Sequence, residues 1–156
     1  MGHTIAEILA KRSTEIFVGR QEEKDILLQV VKEGGPLVIF IHGIAGVGKT
    51  SLLEAFSAEV DALGCRVLRL DCRTVEPTER GFLGELSTAI GSGTPTLESV
   101  VGRLGRMEQR VVIILDTYEV FRLLDTWLRQ VFLPNMTDNV RVIFSGRVPP
   151  VSAWFT

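Results

Sequence analysis

The chain has 156 residues, a formal net charge of −2 and a composition that is 46% hydrophobic and 23% charged. These values are typical of a single globular domain and exclude a disordered or fibrous chain. The small net negative charge gives no sign of the basic surface that nucleic acid requires, so we expect no direct nucleic-acid partner. Two cysteines are too few for a disulfide framework or a zinc site. Neither a signal peptide nor a membrane-spanning run is visible, so we expect a cytoplasmic location and no membrane partner.

The first part of the chain carries two helical patterns separated by a short apolar stretch. Apolar residues at three- and four-residue steps predict helices over residues 4–11 and 21–32, the second with an acidic first turn that suits the helix dipole. The stretch between them includes the run Phe-Val-Gly-Arg at residues 17–20. We interpret residues 1–34 as a helical lead-in and residues 35–156 as the core of one domain.

A glycine-rich loop fits the pattern G-x-x-x-x-G-K-[ST] at every specified position. It follows a short apolar run at residues 37–41, typical of a buried parallel strand, and precedes a helical pattern over residues 52–63. The candidate binding residues are Gly43, Ile44, Ala45, Gly46, Val47, Gly48, Lys49, Thr50 and Ser51.

The order of strand, loop and helix is the one that phosphate binding needs. Backbone N–H groups of the loop can turn inward around an anion, and the helix N-terminus adds its dipole. Lys49 is predicted to reach the β- and γ-phosphates, and Thr50 to ligate Mg²⁺. The sequence therefore predicts a site for ATP or ADP with Mg²⁺, the alternative being a chance match in a glycine-rich turn.

Strands and helices alternate along the rest of the chain. The predicted elements are strands over residues 66–70, 111–115 and 141–144, and helices over residues 78–90, 97–108 and 120–132. The first of these strands alternates polar and apolar residues, which indicates a position near a sheet edge, whereas the second is continuously apolar and therefore central. This alternation predicts an α/β fold with a parallel sheet, whose ligands bind at the carboxyl ends of the strands.

Polar residues follow two of these strands at that edge. Asp116 is predicted to hold Mg²⁺ opposite Thr50, although an aspartate there can also cap the next helix. Glu119 is a candidate for positioning or deprotonating an attacking water, or else a residue that starts a helix on its favourable dipole end. Arg147 is a candidate for contact with the γ-phosphate rather than an exposed loop arginine, and Ser145 can add a hydrogen bond.

Taken together, these stretches resemble the STAND-type signal-transduction P-loop ATPases, the group that contains NB-ARC, AP-ATPase and NACHT modules. The resemblance rests on residues 17–20, 43–50, 113–119 and 142–147, in that order. It implies a three-layer P-loop fold of the ASCE type with strand order 5-1-4-3-2. It also implies that Val18, Gly19 and Arg20 lie near the adenine and ribose, and that Arg147 is the sensor arginine.

The resemblance also implies a larger protein. The chain ends before a fifth strand of that sheet, so we expect the phosphate-loop strand to be left as an open edge and the domain to belong to a longer chain. Helical and winged-helix subdomains, and a repeat or effector region, are the expected further partners, together with homo-oligomerisation on activation.

The function implied is Mg-ATP binding and slow hydrolysis as the nucleotide switch of a signalling ATPase, weak in this stretch alone. One alternative is an interaction module that binds nucleotide without hydrolysing it. Another is an AAA+ ATPase of the origin-recognition type, which shares the Val-Gly-Arg run but usually carries a sensor asparagine where this chain has Ser145. The acidic pair of the family is also altered, since Glu119 stands three residues beyond Asp116.

Overall fold

The computed structural model describes residues 15–18, 27–32, 37–42 and 49–147, without the side chains of residues 15–18, 30, 42 and 49–51. The predicted helix over residues 4–11, most of that over residues 21–32 and the loop 43–48 lie outside the described residues. A short 3-10 helix, Gln29–Val31, falls within the second of these predicted helices. Within the described residues, no helix is long and apolar enough to cross a membrane.

The described strands form one parallel sheet. They are β1 (Glu15–Val18), β2 (Val38–His42), β3 (Arg66–Asp71), β4 (Val111–Asp116) and β5 (Val140–Gly146). Their order is β1-β2-β5-β4-β3, and every neighbouring pair is parallel. The four predicted strands therefore take the expected order 1-4-3-2, which confirms the parallel α/β fold.

The edge that was expected to be open is occupied by β1. This strand pairs with β2 from Glu15 beside Ile39 to Val18 beside His42. The expectation of an unpaired phosphate-loop strand is therefore wrong. Pairing satisfies the backbone N–H and C=O groups along the outer side of β2, and the run Ile-Phe-Val at residues 16–18 is a good strand former.

Among the described residues, three regular helices lie between the strands: α1 (Lys49–Ala62), α2 (Glu79–Ile90) and α3 (Leu97–Gly105). Each has a recognisable end signal. The hydroxyl oxygens of Thr78 and Thr96 accept hydrogen bonds from N–H groups in the first turns of α2 and α3, as N-cap residues do. Beyond α1, Gly64 has φ of 89° and ends the helix in the left-handed region, where glycine costs least.

The helix predicted over residues 120–132 is not one regular helix. It is a succession of 3-10 helix (Tyr118–Leu124), a short α-helical turn (Asp125–Trp127), a π-helix (Leu128–Phe132) and a second 3-10 helix (Leu133–Asn135). A 3-10 helix has three residues per turn, so Tyr118, Phe121 and Leu124 all face the same way, and all three are buried. The spacing of the large side chains thus favours a tighter winding than the α-helical period assumed from the sequence.

The sheet is the middle of three layers. On one face, α1 packs against β-branched residues of the central strands; this cluster includes Ile39, Ile41, Val112, Ile114, Ile143, Leu53, Phe56 and Val60. We call this the α1 face. On the opposite face, α2, α3 and the 118–135 segment cover a larger, ring-rich cluster that includes Phe40, Phe82, Tyr118, Phe121, Phe132 and Phe144. We call this the aromatic face. Side chains alternate along each strand, so successive residues supply the two cores in turn.

Candidate functional site

The ends of the glycine-rich loop are fixed at the carboxyl edge of the sheet. The strand β2 ends at His42 and α1 begins at Lys49, so six residues join them. Lys49 and Thr50 lie in the first turn of α1, where backbone N–H groups have no partner within the helix. The described backbone on both sides of the loop therefore has the arrangement that a phosphate-binding motif requires.

A row of residues crosses the sheet at this edge. Ile41 pairs with Ser145, Ser145 with Asp116, and Asp116 with Asp71, one residue from each of β2, β5, β4 and β3. Strand alternation places all four on the α1 face, because each lies two residues beyond a β-branched or arginine side chain of that face. Ser145, Asp116 and Asp71 thus form a polar row directly above the apolar layer, on the side from which α1 approaches.

Ser145 is the most deeply buried member of this row. Its side chain is 1% exposed, and its Oγ has no hydrogen-bond partner in the part of the chain that the structure describes. Leaving a buried hydroxyl unpaired costs about 1–3 kcal/mol. A polar atom supplied by a ligand at the end of β5 would remove that cost, so the residues present fit a nucleotide phosphate.

Asp116 ends β4 as a carboxylate, the ligand type that Mg²⁺ takes in nucleotide sites. It does not stand alone: Arg69 Nη2 donates a hydrogen bond to Asp116 Oδ2 across 3.0 Å, from the adjacent strand β3. Sequence reasoning missed Arg69, because the alternating pattern of β3 was interpreted only as a sign of an exposed edge. The signal was present, since the order 1-4-3-2 makes β3 and β4 neighbours and places residues two apart on one face.

The residue after Asp116 turns the chain sharply. Thr117 has φ of 59° and ψ of 46°, a left-handed conformation that costs a residue with a side chain about 1–2 kcal/mol. The turn directs Tyr118 into the aromatic face, where its hydroxyl donates a 2.5 Å hydrogen bond to Asp125 Oδ1. Burial and this hydrogen bond raise the pKa of Tyr118 far above its ordinary value, so the phenol stays protonated.

The same turn brings Glu119 to the end of β5. Its Oε1 accepts a 3.0 Å hydrogen bond from the backbone N–H of Arg147. A Cβ at Gly146 would lie 2.5 Å from that oxygen, so the carboxylate occupies space that only glycine leaves open. Gly146 pairs with His42, the residue before the loop. The displaced acid, three residues beyond Asp116, therefore still reaches the loop end of the sheet, beside the aromatic face.

The remaining predicted site residues lie near the same edge. Arg147 follows β5 with an exposed side chain, and its backbone N–H holds Glu119. Val18 ends β1 beside His42, so the structure brings it next to the start of the loop. Gly19, Arg20 and the loop residues 43–48 lie outside the described residues, as do the side chains of Lys49, Thr50 and Ser51. The roles assigned to all these residues remain predictions.

Several carboxylates at this edge act on the buried thiol of Cys72. Cys72, directly after β3, is buried, and its pKa is raised to about 12 by burial first and then by the negative charges of Asp116, Asp71 and Glu119. Asp71 and Asp116 end neighbouring strands and Glu119 lies in the segment after β4, so three carboxylates act on one buried group. Carboxylates attract a divalent cation and repel a bare polyphosphate, so we expect phosphate binding here to depend on Lys49, the loop N–H groups and a metal.

Comparison with known proteins identifies the class. A family model of the AAA ATPase domain matches residues 16–144. The chain therefore belongs to the AAA ATPase domain family. The comparison with curated proteins found no match.

Solved structures of the same fold come from origin-recognition proteins. The Orc1 protein of Aeropyrum pernix in complex with DNA is 18% identical, with a TM-score of 0.56 over 82% of this chain and 37% of the other. Drosophila ORC bound to AT-rich DNA and Cdc6 is 15% identical, with a TM-score of 0.59 over 87% and 48%. Drosophila ORC bound to DNA is 14% identical, with a TM-score of 0.58 over 87% and 80%. The chain thus spans less than half the length of the first two.

These neighbours correct one expectation. All three were determined with DNA. The expectation of no direct nucleic-acid partner is therefore wrong, because it rested on the net charge of this stretch alone. Net charge reports on the average of a surface, whereas DNA is bound by local basic groups or by neighbouring domains.

Proposed function

We propose that the protein binds ATP with Mg²⁺ at the carboxyl edge of the sheet and uses binding and slow hydrolysis as a conformational switch of the STAND type. The observation that carries the proposal is the buried hydroxyl of Ser145, which has no partner among the described residues and lies beside Asp116 on the face against which α1 packs. A buried donor and a carboxylate in one row suit a phosphate and its metal together. Membership of the AAA ATPase domain family supports nucleotide as the ligand.

The loop residues and α1 would hold the phosphates. Backbone N–H groups of residues 43–48 and the start of α1 bind the oxygens, and Lys49 places a positive charge against the β- and γ-phosphates. Thr50 and Asp116 would supply oxygen ligands to the metal. Mg²⁺, when bound, neutralises charge on the β- and γ-phosphate oxygens. Ser145 donates its hydroxyl proton to a phosphate oxygen at the end of β5.

Glu119 and Arg147 would act on the terminal phosphate. The Arg147 N–H holds Glu119 Oε1, so Oε2 is the oxygen that we assign to accept a proton from an attacking water. The exposed guanidinium of Arg147 turns toward the γ-phosphate and differs in position between the ATP and ADP states. Val18, Gly19 and Arg20 line the adenine and ribose. Hydrolysis is slow in this domain alone, because a single carboxylate displaced from Asp116 orients the water.

We assign residues 1–156 to one nucleotide-binding domain of a longer cytoplasmic protein, with residues 1–34 as a lead-in. The nucleotide state would be transmitted to further subdomains, to an effector or repeat region, and to other copies of the chain. ATP binding favours one arrangement of these parts and ADP another, by as much as their affinities for the two arrangements differ.

The direct test measures nucleotide affinity in variants of the phosphate site. Lys49→Ala should reduce ATP affinity by tenfold or more, because a charge-assisted contact is worth about 1.5–3 kcal/mol. Lys32→Ala is the matched control, since Lys32 is exposed and precedes β2. Glu119→Gln should abolish turnover and preserve binding. Equal affinity of Lys49→Ala and the control would overturn the proposal, and turnover unchanged in Glu119→Gln would leave a switch that works by binding and exchange.

A second candidate is an AAA+ ATPase of the origin-recognition type that acts on DNA. It is favoured by the solved neighbours, all of which were determined with DNA. Fluorescence anisotropy of a labelled duplex, with and without ATP, distinguishes it from the switch. Affinity that falls steeply with salt and rises with ATP would favour this candidate, and no binding at low salt would exclude it.

A further inference from the structure

The ion pair between Arg69 and Asp116 occupies the carboxylate that the proposed site needs for its metal. Arg69 Nη2 lies 3.0 Å from Asp116 Oδ2, and the two side chains are 30% and 27% exposed. Arg69 pairs in register with Ile114, two residues before Asp116, so both side chains project from the α1 face. The positive charge therefore stands directly beside the position at which Asp116 would meet Mg²⁺.

A second carboxylate, that of Asp71, lies on the same face of β3 as Arg69. Asp71 pairs in register with Asp116 and stands two residues beyond Arg69 on the same face of β3. Arg73 already donates two side-chain hydrogen bonds to Asp71. These bonds lower the pKa of Asp71, and the positive charge of Arg69 adds a smaller contribution in the same direction. Arg69 is thus hydrogen-bonded to one acid and electrostatically coupled to the other.

A guanidinium and Mg²⁺ cannot share one carboxylate without cost. Arginine keeps its charge at every physiological pH, so it leaves only by moving. Two positive charges a few ångströms apart repel each other, and Mg²⁺ demands near-ideal placement of its oxygen ligands. Because Arg69 is partly exposed, its long side chain has room to rotate about the end of β3.

We propose that Arg69 is the resident counter-ion of Asp116 and that Mg²⁺ binding displaces its guanidinium to Asp71. Arg69 is then a positioning residue that sets the metal affinity of the site, and it does so from β3, outside the glycine-rich loop. The inference rests on the proposed function, because it takes Asp116 as a metal ligand. It predicts that the protein binds the metal less tightly than its carboxylates alone would allow.

The movement has a structural consequence at the end of β3. Asp71 Oδ1 accepts the backbone N–H of Arg73 and so caps the turn Cys72–Thr74. Arrival of a second guanidinium at Asp71 would compete with Arg73 for the same oxygens. Metal binding at β4 is thereby coupled to the conformation of the turn that follows β3, on the outer edge of the described sheet.

The test uses Mn²⁺ as the probe, with the signal of free Mn²⁺ in electron paramagnetic resonance as the measure of binding to the full chain. Arg69→Gln should tighten Mn²⁺ binding by about two- to fivefold, the range expected from a partly exposed ion pair. Arg66→Gln, at the other end of β3, removes the same charge and should leave Mn²⁺ binding unchanged. Its guanidinium donates to the carbonyl oxygen of Ala89, away from the acids.

Two further variants test whether the effect of Arg69 on Mn²⁺ binding acts through Asp71 and Asp116. Asp71→Asn should weaken Mn²⁺ binding, because the displaced guanidinium loses its second acceptor, and the asparagine can still cap the turn. The gain in Arg69→Gln should disappear when Asp116→Asn is added. An equal gain in Arg66→Gln, or a gain that survives Asp116→Asn, would overturn the proposal. Circular dichroism of each variant verifies that the fold is kept.

Nucleotide binding separates this inference from the function on which it rests. ATP affinity in EDTA, compared between wild type and Lys49→Ala, reports the phosphate site without metal. If those two proteins bind ATP equally while Arg69→Gln tightens Mn²⁺, the proposed function fails and the counter-ion role stands. If Lys49→Ala loses ATP and Arg69→Gln behaves like Arg66→Gln, the function stands and the counter-ion role fails.

Discussion

The two faces of the sheet are built from alternate residues of the same strands, yet they differ in their side chains and in the role that we assign to them. The α1 face is lined by β-branched aliphatic residues and ends in the polar row Ser145, Asp116 and Asp71. The aromatic face is filled by rings, with Phe40 stacked on Phe144 at 4.5 Å between centroids and Tyr118 edge-on to Phe144. One face thus carries the residues of the proposed site, and the other anchors the strands that position them.

The difference explains how a site on strand ends is kept in place. Asp116 and Ser145, which belong to the proposed site, alternate with Leu115 and Phe144, which are 1% exposed on the aromatic side. Each polar side chain is therefore held by a buried neighbour one position earlier in the strand. Rigid elements position functional groups better than loops do. Substitutions on the aromatic face should consequently lower the stability of the fold, whereas substitutions in the polar row should lower the affinity for ligand.

The largest loss of stability should come from a substitution of Phe82 on α2. This fully buried ring lies 4.9 Å from Phe132, 6.1 Å from Phe121 and 6.0 Å from Trp127, between ring centroids. Phe82→Ala should lower the free energy of unfolding by about 3–5 kcal/mol, from lost burial and the cavity left behind. Urea denaturation measures the loss. A change below about 1 kcal/mol would show that the rings of this face are not the anchor.

Much of this division was predictable from the sequence, because it depends on short-range patterns. The apolar runs of β2, β4 and β5 predict the parallel sheet that the structure confirms, and the glycine motif before α1 predicts the edge at which we propose the site. What escaped prediction depends on three-dimensional neighbours. The cover of β2 by β1, the pairing of Arg69 with Asp116 and the bond from Arg147 to Glu119 each join residues distant in sequence.

The segment after β4 was misjudged for a local reason. Its apolar residues were assigned to an α-helix, and the structure winds residues 118–124 as a 3-10 helix after the left-handed Thr117. A non-glycine residue in that region is uncommon, and single-sequence patterns give no sign of it. The turn exists because Tyr118 is held in the aromatic core and Glu119 at the end of β5, both of which are tertiary effects.

The pH dependence of stability tests whether the thiol of Cys72, at the end of β3, is as buried and as close to carboxylates as the structure indicates. Burial, with three nearby carboxylates, raises the pKa of Cys72 to about 12, whereas an unfolded thiol ionises near about 8.5. Above the unfolded value the thiolate favours the unfolded chain, so stability is retained below about pH 8.5 and declines as the pH rises toward 12. Wild type should lose about 2 kcal/mol more than Cys72→Ala between pH 8 and pH 10.

Denaturation curves of both proteins at the two pH values give this difference directly. Cys65 is shared by wild type and variant, so its contribution cancels. Identical losses in the two proteins would mean that the Cys72 thiol ionises as readily in the folded protein as in the unfolded chain, so that neither its burial nor the nearby carboxylates raise its pKa.

The next largest loss of stability should come from a substitution at the contact between Glu119 and Gly146. Gly146→Ala places a Cβ 2.5 Å from Glu119 Oε1, so either the carboxylate or the end of β5 must move. We expect a loss of about 1–2 kcal/mol in stability. In Glu119→Ala the same substitution should cost less, giving a coupling of about 1 kcal/mol in a double-mutant cycle. Gly84→Ala in α2 is the control, because its Cβ meets no atom within 4 Å.

That control should be neutral or stabilising, since alanine is the better helix former by about 1 kcal/mol. Additive losses at Gly146 and Glu119 would show that the two residues do not meet, and that Glu119 lies elsewhere in the folded protein.

The smallest change in stability should come from the polar row, and it should have the opposite sign. Ser145 Oγ is buried without a partner among the described residues, so Ser145→Ala removes an unsatisfied group and should raise the free energy of unfolding by up to about 1 kcal/mol. It should also weaken ATP binding by about fivefold, because a hydrogen bond to the phosphate is lost.

A second buried hydroxyl separates these two effects. Ser57 Oγ in α1 is also buried without a partner in the part of the chain that the structure describes, two turns beyond the start of that helix. Ser57→Ala should stabilise the fold in the same way and leave ATP affinity unchanged, as measured by thermal denaturation and calorimetric titration. If Ser145→Ala destabilises the protein and binds ATP normally, its hydroxyl belongs to the folded core, and the division of labour between the two faces does not hold at this edge.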